Sequence, residues 1–222
     1  MFCYQCEQTA KGTGCDKVGV CGKQPDVASL QDLLVRILAE ISFLAIEGSK
    51  VGIRDPKLNA FTMEGLFATL TNVDFDPDRF SALISEARNI RDDLQTRVRT
   101  AGGKADFPGG YTPVKPVTTL DEMVKEGEKA GLMSDPSADP DIRSLQHIAL
   151  FGIKGVAAYA FHARILGQED ESVSTFIYDC LAAILKNELS LNDWVGMVLK
   201  CGEVNLKAME LLDAGNTQTY GH

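Results

Sequence analysis

Pro25-Asp26-Val27-Ala28-Ser29-Leu30-Gln31-Asp32-Leu33-Leu34-Val35-Arg36-Ile37-Leu38-Ala39-Glu40-Ile41-Ser42-Phe43-Leu44 decides the fold. Val27, Leu30, Leu33, Leu34, Ile37, Leu38, Ile41 and Leu44 recur at intervals of three and four, which puts them on one face of an α-helix. Pro25 suits a first helical turn, where its missing N–H costs nothing, and Gly48 is placed to end the helix. Further helices are expected from about Asn59 to Thr71 and from Asp76-Pro77 to just before Gly102-Gly103, the latter carrying Phe80, Leu83, Ile84, Ala87, Ile90 and Leu94. Residues 103 to 118, rich in Gly and Pro, read as a connector, and Thr119-Leu120-Asp121-Glu122 is a capping box opening a short helix that ends at Gly131.

The pattern then begins again. Asp139-Pro140 opens a long helix reaching Gly167, followed by one from about Ser172 to Lys186 and one from Ser190 to about Ala214, before Gly215. A constant shift of 115 (144 minus 29) lays Ser29-Leu30-Gln31 on Ser144-Leu145-Gln146. Without a gap it also matches Gly52 with Gly167, Asp55 with Asp170, Phe61 with Phe176, Leu66 with Leu181 and Asn72 with Asn187. One shift holding through three helices and two turns reads as a duplication. The expected fold is all-α: a cysteine-rich loop at 1–24, a three-helix bundle at 25–102, a connector with a short helix at 103–140, and a second three-helix bundle at 141–222. The Ser/Leu/Gln matches read as packing and capping positions.

A chain of 222 residues, 45% of them hydrophobic, can bury a proper core. Leu33 to Ile46 is interrupted by Arg36 and Glu40, and Ile148 to Phe161 by Lys154, so no stretch reads as long enough to cross a membrane. The formal net charge of -9 argues against a nucleic-acid partner, which needs clustered Lys and Arg. It serves solubility first and is compatible with a basic redox partner.

Chemistry concentrates before the first helix. Cys3, Cys6, Cys15 and Cys21 form a Cys-x2-Cys-x8-Cys-x5-Cys pattern whose spacers are too short for elements of their own, so four thiolates can converge on one soft-metal centre. Disulfides belong mainly to oxidising compartments, and Met1-Phe2-Cys3 opens without a signal-peptide pattern; a cytoplasmic location is expected. Zinc is the serious rival, usually held by two Cys-x2-Cys knuckles, of which this loop has one. The wider Cys15 to Cys21 gap suits an iron–sulfur cluster, each of whose irons takes one outer thiolate. Cys180 falls in the apolar register of its helix and reads as an inert buried thiol, while Cys201 is open. His147, His162 and His222 show no ligand spacing and are assigned to no metal.

The wording of this segment adds to its spacing. Phe2-Cys3-Tyr4-Gln5-Cys6-Glu7-Gln8-Thr9-Ala10, Gly14-Cys15, Gly19-Val20-Cys21-Gly22-Lys23, Gly65-Leu66-Phe67-Ala68-Thr69, Gly152-Ile153-Lys154-Gly155-Val156-Ala157-Ala158-Tyr159-Ala160 and Ala208-Met209-Glu210-Leu211-Leu212-Asp213 closely resemble the first domain of the hybrid-cluster proteins, or hydroxylamine reductases. The resemblance covers essentially the whole chain. It implies two three-helix bundles packed crosswise with a cluster loop at one end. It also implies Cys3, Cys6, Cys15 and Cys21 as ligands of a [4Fe-4S] cubane, with [2Fe-2S] belonging to members with longer cysteine gaps. In that family electrons from a donor protein pass through this cluster to a second one that reduces hydroxylamine to ammonia or nitric oxide to nitrous oxide. The ligands of that second cluster fall beyond the present sequence, so this chain alone is expected to be inactive; its partner is the remainder of the full-length enzyme if it is a fragment, a natural short paralogue being the other reading. A zinc-stapled helical interaction module and an amino-terminal fragment of a carbon monoxide dehydrogenase are the alternatives.

Overall fold

Seven helices account for the regular structure in the computed structural model, which describes residues 2–8, 12–135 and 137–221: α1 Pro25–Ser49, α2 Pro56–Ala68, α3 Pro77–Thr100, α4 Leu120–Gly127, α5 Pro140–Ile165, α6 Glu171–Lys186 and α7 Leu191–Tyr220. Met1, His222 and the Thr9 and Ala10 positions of the loop motif lie outside the described residues. There is no β-strand among the described residues, and the fold is all-α.

Each helix starts where a short polar side chain or a proline says it should. Asp55, Asp76, Asp139 and Asp170 each accept a backbone N–H of the first turn, and Thr119 and Ser190 form complete capping boxes. The Asp55 cap starts α2 at Pro56, three residues before the sequence pattern placed it. At the other extreme, α7 does not stop before Gly215. A Cβ at that glycine would lie 2.8 Å from the Leu166 Cβ, so the residue is there to let α7 pass the end of α5 closely and carry on to Tyr220. The helix opened by Thr119 is also shorter than expected, closing at Gly127 where a Cβ would sit 2.1 Å from the Ser29 carbonyl oxygen.

The shift of 115 reappears in the backbone. Adding it to the first residues of α1 and α2 gives 140 and 171, the first residues of α5 and α6. Ser29 and Ser144 each return a side-chain hydrogen bond to the carbonyl four residues back, at Pro25 and Pro140. Gln31 and Gln146 are both buried and both reach the turn after the following helix, Gln31 through the Asp74 carbonyl at 3.1 Å and Gln146 through the Asn187 side chain at 2.9 Å. The glutamines fill the packing role read from the sequence; the serines bond back inside their own helices and cap neither, α1 having Gln24 and α5 Asp139 at the N-cap.

The halves interlock. α1 packs on α3, and α5 on α7, but the middle helices lean across: α6 lies against α1 and α2 against α5. One continuous core therefore runs from Leu30, Leu34 and Ile37 of α1 to Ile153 and Val156 of α5 and Leu181 of α6. The connector 103–118 is held to this core through Glu40, whose carboxylate accepts from Arg91 at 2.6 Å, the Tyr111 hydroxyl at 2.7 Å and the Val114 N–H at 2.7 Å. Burial of Arg91 disfavours its cation, yet the Glu40 and Asp92 carboxylates together outweigh this and raise its pKa.

The sequence expectation about membrane spans needs one correction. At 26 residues, α5 is long and apolar enough to cross a bilayer by length and composition. The single Lys154 does not lower its mean hydropathy enough to break the run. Its residues instead meet α2, α6 and α7, as a core helix does.

Candidate metal centre

The cysteine loop is built on a two-residue backbone pairing. Cys15 N–H donates to the Cys3 carbonyl at 2.6 Å and Cys3 N–H donates back to the Cys15 carbonyl at 3.4 Å, forming an isolated antiparallel bridge, and Phe2 N–H donates to the same Cys15 carbonyl at 2.9 Å. This puts the first and third cysteines side by side. The chain between and after them turns at Gly12, Gly14 and Gly22, with φ of 71°, 120° and 94°, values that favour glycine. All four loop cysteines are free thiols; Cys15 is buried, Cys3 and Cys6 are half-buried and Cys21 is exposed. The donor set therefore fits a thiolate metal centre in its chemistry. Its geometry goes part of the way: among the described residues no three His, Cys, Asp or Glu side chains lie close enough together to hold a metal ion.

Two residues of the first knuckle fasten the loop to the helices. Tyr4 hydrogen-bonds through its hydroxyl to His147 Nε2, with the rings edge to face at 4.7 Å, and packs on Phe151. Gln5, between Cys3 and Cys6, donates to the Thr69 carbonyl at the end of α2 and accepts from Lys154 Nζ, both at 3.3 Å. Lys154 also donates to Thr69 O at 3.3 Å. His147, Phe151 and Lys154 stand at i, i+4 and i+7 on α5, one face of the helix. On the other flank Lys23 Nζ donates to Gln31 Oε1 at 2.6 Å.

These anchors enclose a cavity of about 40 Å³ lined by Cys3, Gln5, Lys23, Asp32, His147 and Lys154 among others. Its electrostatics follow from burial. Burial pushes Lys154 down to about 8, with Asp32 pulling it back up, and pushes His147 down to about 4. It pushes Asp32 up to about 6, against the opposing pull of Lys154 and Lys23, and raises the Tyr4 hydroxyl above its ordinary value.

Sequence reasoning named the cysteines but missed this shell. Lys154 had registered as an interruption in an apolar run and, with Lys23, as part of a family motif, and Asp32 as a position in the first helix, none of them with a role at the site. The readable signal was a lone cation in an apolar helix register, which is buried only when something accepts its hydrogen bonds. Cys180 is fully buried as expected, and its thiol is pushed up by burial and then by Cys201. Cys201 is buried too, its Sγ against Gly152, where a Cβ would come within 2.6 Å. His162 bonds to the Ala158 carbonyl of its own helix.

An all-α domain with a four-thiol loop seated against its helices is the class these features define. The chain belongs to the Prismane/CO dehydrogenase family, which it matches over residues 1–222. Curated relatives named hydroxylamine reductase include proteins of Syntrophobacter fumaroxidans, 56% identical over 222 residues, Methanocella arvoryzae, 56% over 223, and Solidesulfovibrio magneticus, 50% over 223. Each alignment takes in all of this chain and 41%, 41% and 40% of the relative, respectively. The chain thus spans about two fifths of the length of the relatives it matches, and corresponds to their amino-terminal portion.

Proposed function

We propose that this chain is the iron–sulfur electron-transfer domain of a hydroxylamine reductase, with Cys3, Cys6, Cys15 and Cys21 as the ligands of a [4Fe-4S] cluster. The observation that carries the reading is the loop itself: four free thiols in the family's motif, two of them paired by backbone and the knuckle between Cys3 and Cys6 bolted to both halves of the fold. When bound, such a cluster supplies one-electron transfer. The protein's part is to hold four thiolates, to keep one flank of the centre dry against α5, and to leave Cys21 at the surface where an electron-donor protein can approach. In the whole enzyme the electron serves reduction of hydroxylamine to ammonia or of nitric oxide to nitrous oxide, in the cytoplasm; this chain alone is inactive in this reading, because a cubane with four cysteine ligands leaves no open metal position for a substrate.

The remainder of such an enzyme is the partner proposed for α7. Trp194, Cys201, Val204 and Ala208 face the core, while Val195, Leu199, Leu206 and Met209 stand at i, i+4, i+11 and i+14 on the opposite side and are 43% to 68% exposed. A helix apolar on two faces has one to offer.

Anaerobic reconstitution followed by iron, zinc and acid-labile sulfide analysis tests the reading. About four irons and four sulfides per chain are expected, lost on any single loop Cys→Ser change and kept in Cys180→Ser. One zinc without sulfide would establish the rival zinc-stapled module.

A further inference from the structure

We propose that Lys154 sets the reduction potential of the centre held by Cys3, Cys6, Cys15 and Cys21, by holding a buried positive charge against the first cysteine knuckle. This rests on the iron–sulfur reading above.

Lys154 is 3% exposed, and burying an ammonium is costly unless its N–H groups are satisfied. What satisfies it here is neutral: the Gln5 side-chain oxygen, the Thr69 carbonyl, and the face of Phe151 with its centroid 5.8 Å away. Among the described residues no carboxylate stands within ion-pair distance of Nζ; Asp32 acts on it only through space. The cation is therefore held in place without being cancelled by a contact partner. Through Gln5 it bears on the peptide between Cys3 and Cys6, and it shares a cavity wall with Cys3.

A thiolate-held centre is net anionic, and accepting one electron from a donor makes it more so, with no bond made or broken. A fixed cation nearby in a medium of low dielectric stabilises the more negative state, which raises the potential. Lys154 is thus a positioning residue and a charge at once: it seats Gln5 on Thr69, and it favours the reduced form. Substitutions separate the two roles, because glutamine keeps hydrogen bonding without charge and arginine keeps the charge.

The wild-type chain, Lys154→Gln and Lys154→Arg are reconstituted anaerobically, assayed for iron and sulfide, and titrated at pH 7 with dithionite and mediators under optical and electron paramagnetic resonance detection. The Gln variant should load fully, yet its reduced-to-oxidised ratio at the wild-type midpoint should fall about tenfold, which for one electron is about 59 mV. The Arg variant should stay near wild type. A loaded Gln variant with an unmoved midpoint, or an Arg variant displaced as far as the Gln variant, overturns the proposal and leaves the iron–sulfur reading intact. A wild-type chain without iron and sulfide overturns both. If the Gln variant does not load, Asp32→Asn decides: removing the carboxylate that opposes Lys154 should raise the ratio, and an unchanged or lower one counts against the inference.

Discussion

Asn72 and Asn187 both hold a left-handed backbone, at φ 62° and 51°, and stand 115 positions apart in corresponding turns. They are the non-glycine residues of positive φ among those described, and asparagine is among the few side chains that visit this region readily. Asn187 caps the C-terminus of α6, while Asn72 follows the end of α2 at Ala68 by four residues, so the two positions share a backbone conformation in the connections after the middle helices, as a duplication would predict. Superposing Cα atoms of residues 29–83 on 144–198 should bring three helices into register. Asn72→Val should cost about 1–2 kcal/mol in urea unfolding, while Asn72→Gly should be nearly neutral.

Glu40 and Arg91 form the ion pair from which the connector hangs, and both are almost fully buried. Removing one partner leaves an uncompensated charge in the core, so Glu40→Ala or Arg91→Ala should each destabilise by about 3–5 kcal/mol. Replacing both by apolar residues should recover only part of this, because the Val114 N–H and the Tyr111 hydroxyl would still lose their acceptor. Full recovery in the double variant would show that the connector is held by other contacts.

How much of this was legible in advance divides along physical lines. Helix positions were readable because apolar spacing, aspartate caps and Pro25, Pro77 and Pro140 are local signals. The loop cysteines stood out because thiolate ligation, the role proposed for them, demands a residue type and a spacing. What stayed hidden was long-range: the lean of α6 on α1 and α2 on α5, and the partners of Lys23, Glu40 and Lys154. No local pattern says which buried carbonyl will meet a given cation. Glu40 looked like a break in an apolar face and proved to be the acceptor that fixes residues 111–114. Gly215 looked like a stop and proved to be a close-packing site, a distinction that only the position of Leu166 decides.

Asp32 and His147 give the cavity behind the loop a testable pH dependence, measured on the metal-free chain. His147 is held neutral down to about 4 in the fold, so between about pH 4 and 6.5 the unfolded chain binds the extra proton and stability rises with pH. Asp32 keeps its proton up to about 6, so between its ordinary 3.8 and 6 the folded chain binds the extra proton and stability falls as pH rises. The two slopes oppose, so in the wild type each offsets part of the other. His147→Phe should expose the downward slope of Asp32, and Asp32→Asn the upward slope of His147. Denaturation midpoints at pH 4, 5 and 6 decide it; parallel profiles for both variants would show that neither group titrates as described.

Thiol chemistry should divide the six cysteines by location. The thiolate is the nucleophile, so reactivity follows exposure and ease of ionisation. Cys180 and Cys201 lie in the α6 and α7 packing, and burial raises both thiols, so neither ionises readily nor admits reagent. Cys21 is exposed, and Cys3 and Cys6 are half-buried on a loop that closes no hydrophobic core. Under native, metal-free conditions iodoacetamide should modify Cys21 first, then Cys3 and Cys6, with Cys15 slower because it is buried under the bridge to Cys3. Cys180 and Cys201 should react only after denaturation. Because the core is assembled from residues after Pro25, labelling the loop should leave the helical circular dichroism almost unchanged. Reconstitution with iron and sulfide before labelling should protect the four loop thiols together. Peptide mass spectrometry reads every site at once. Protection of only two or three of the four, or modification of Cys180 at the rate of Cys21, would show respectively that the ligand set is smaller than the loop, or that α6 and α7 separate in solution.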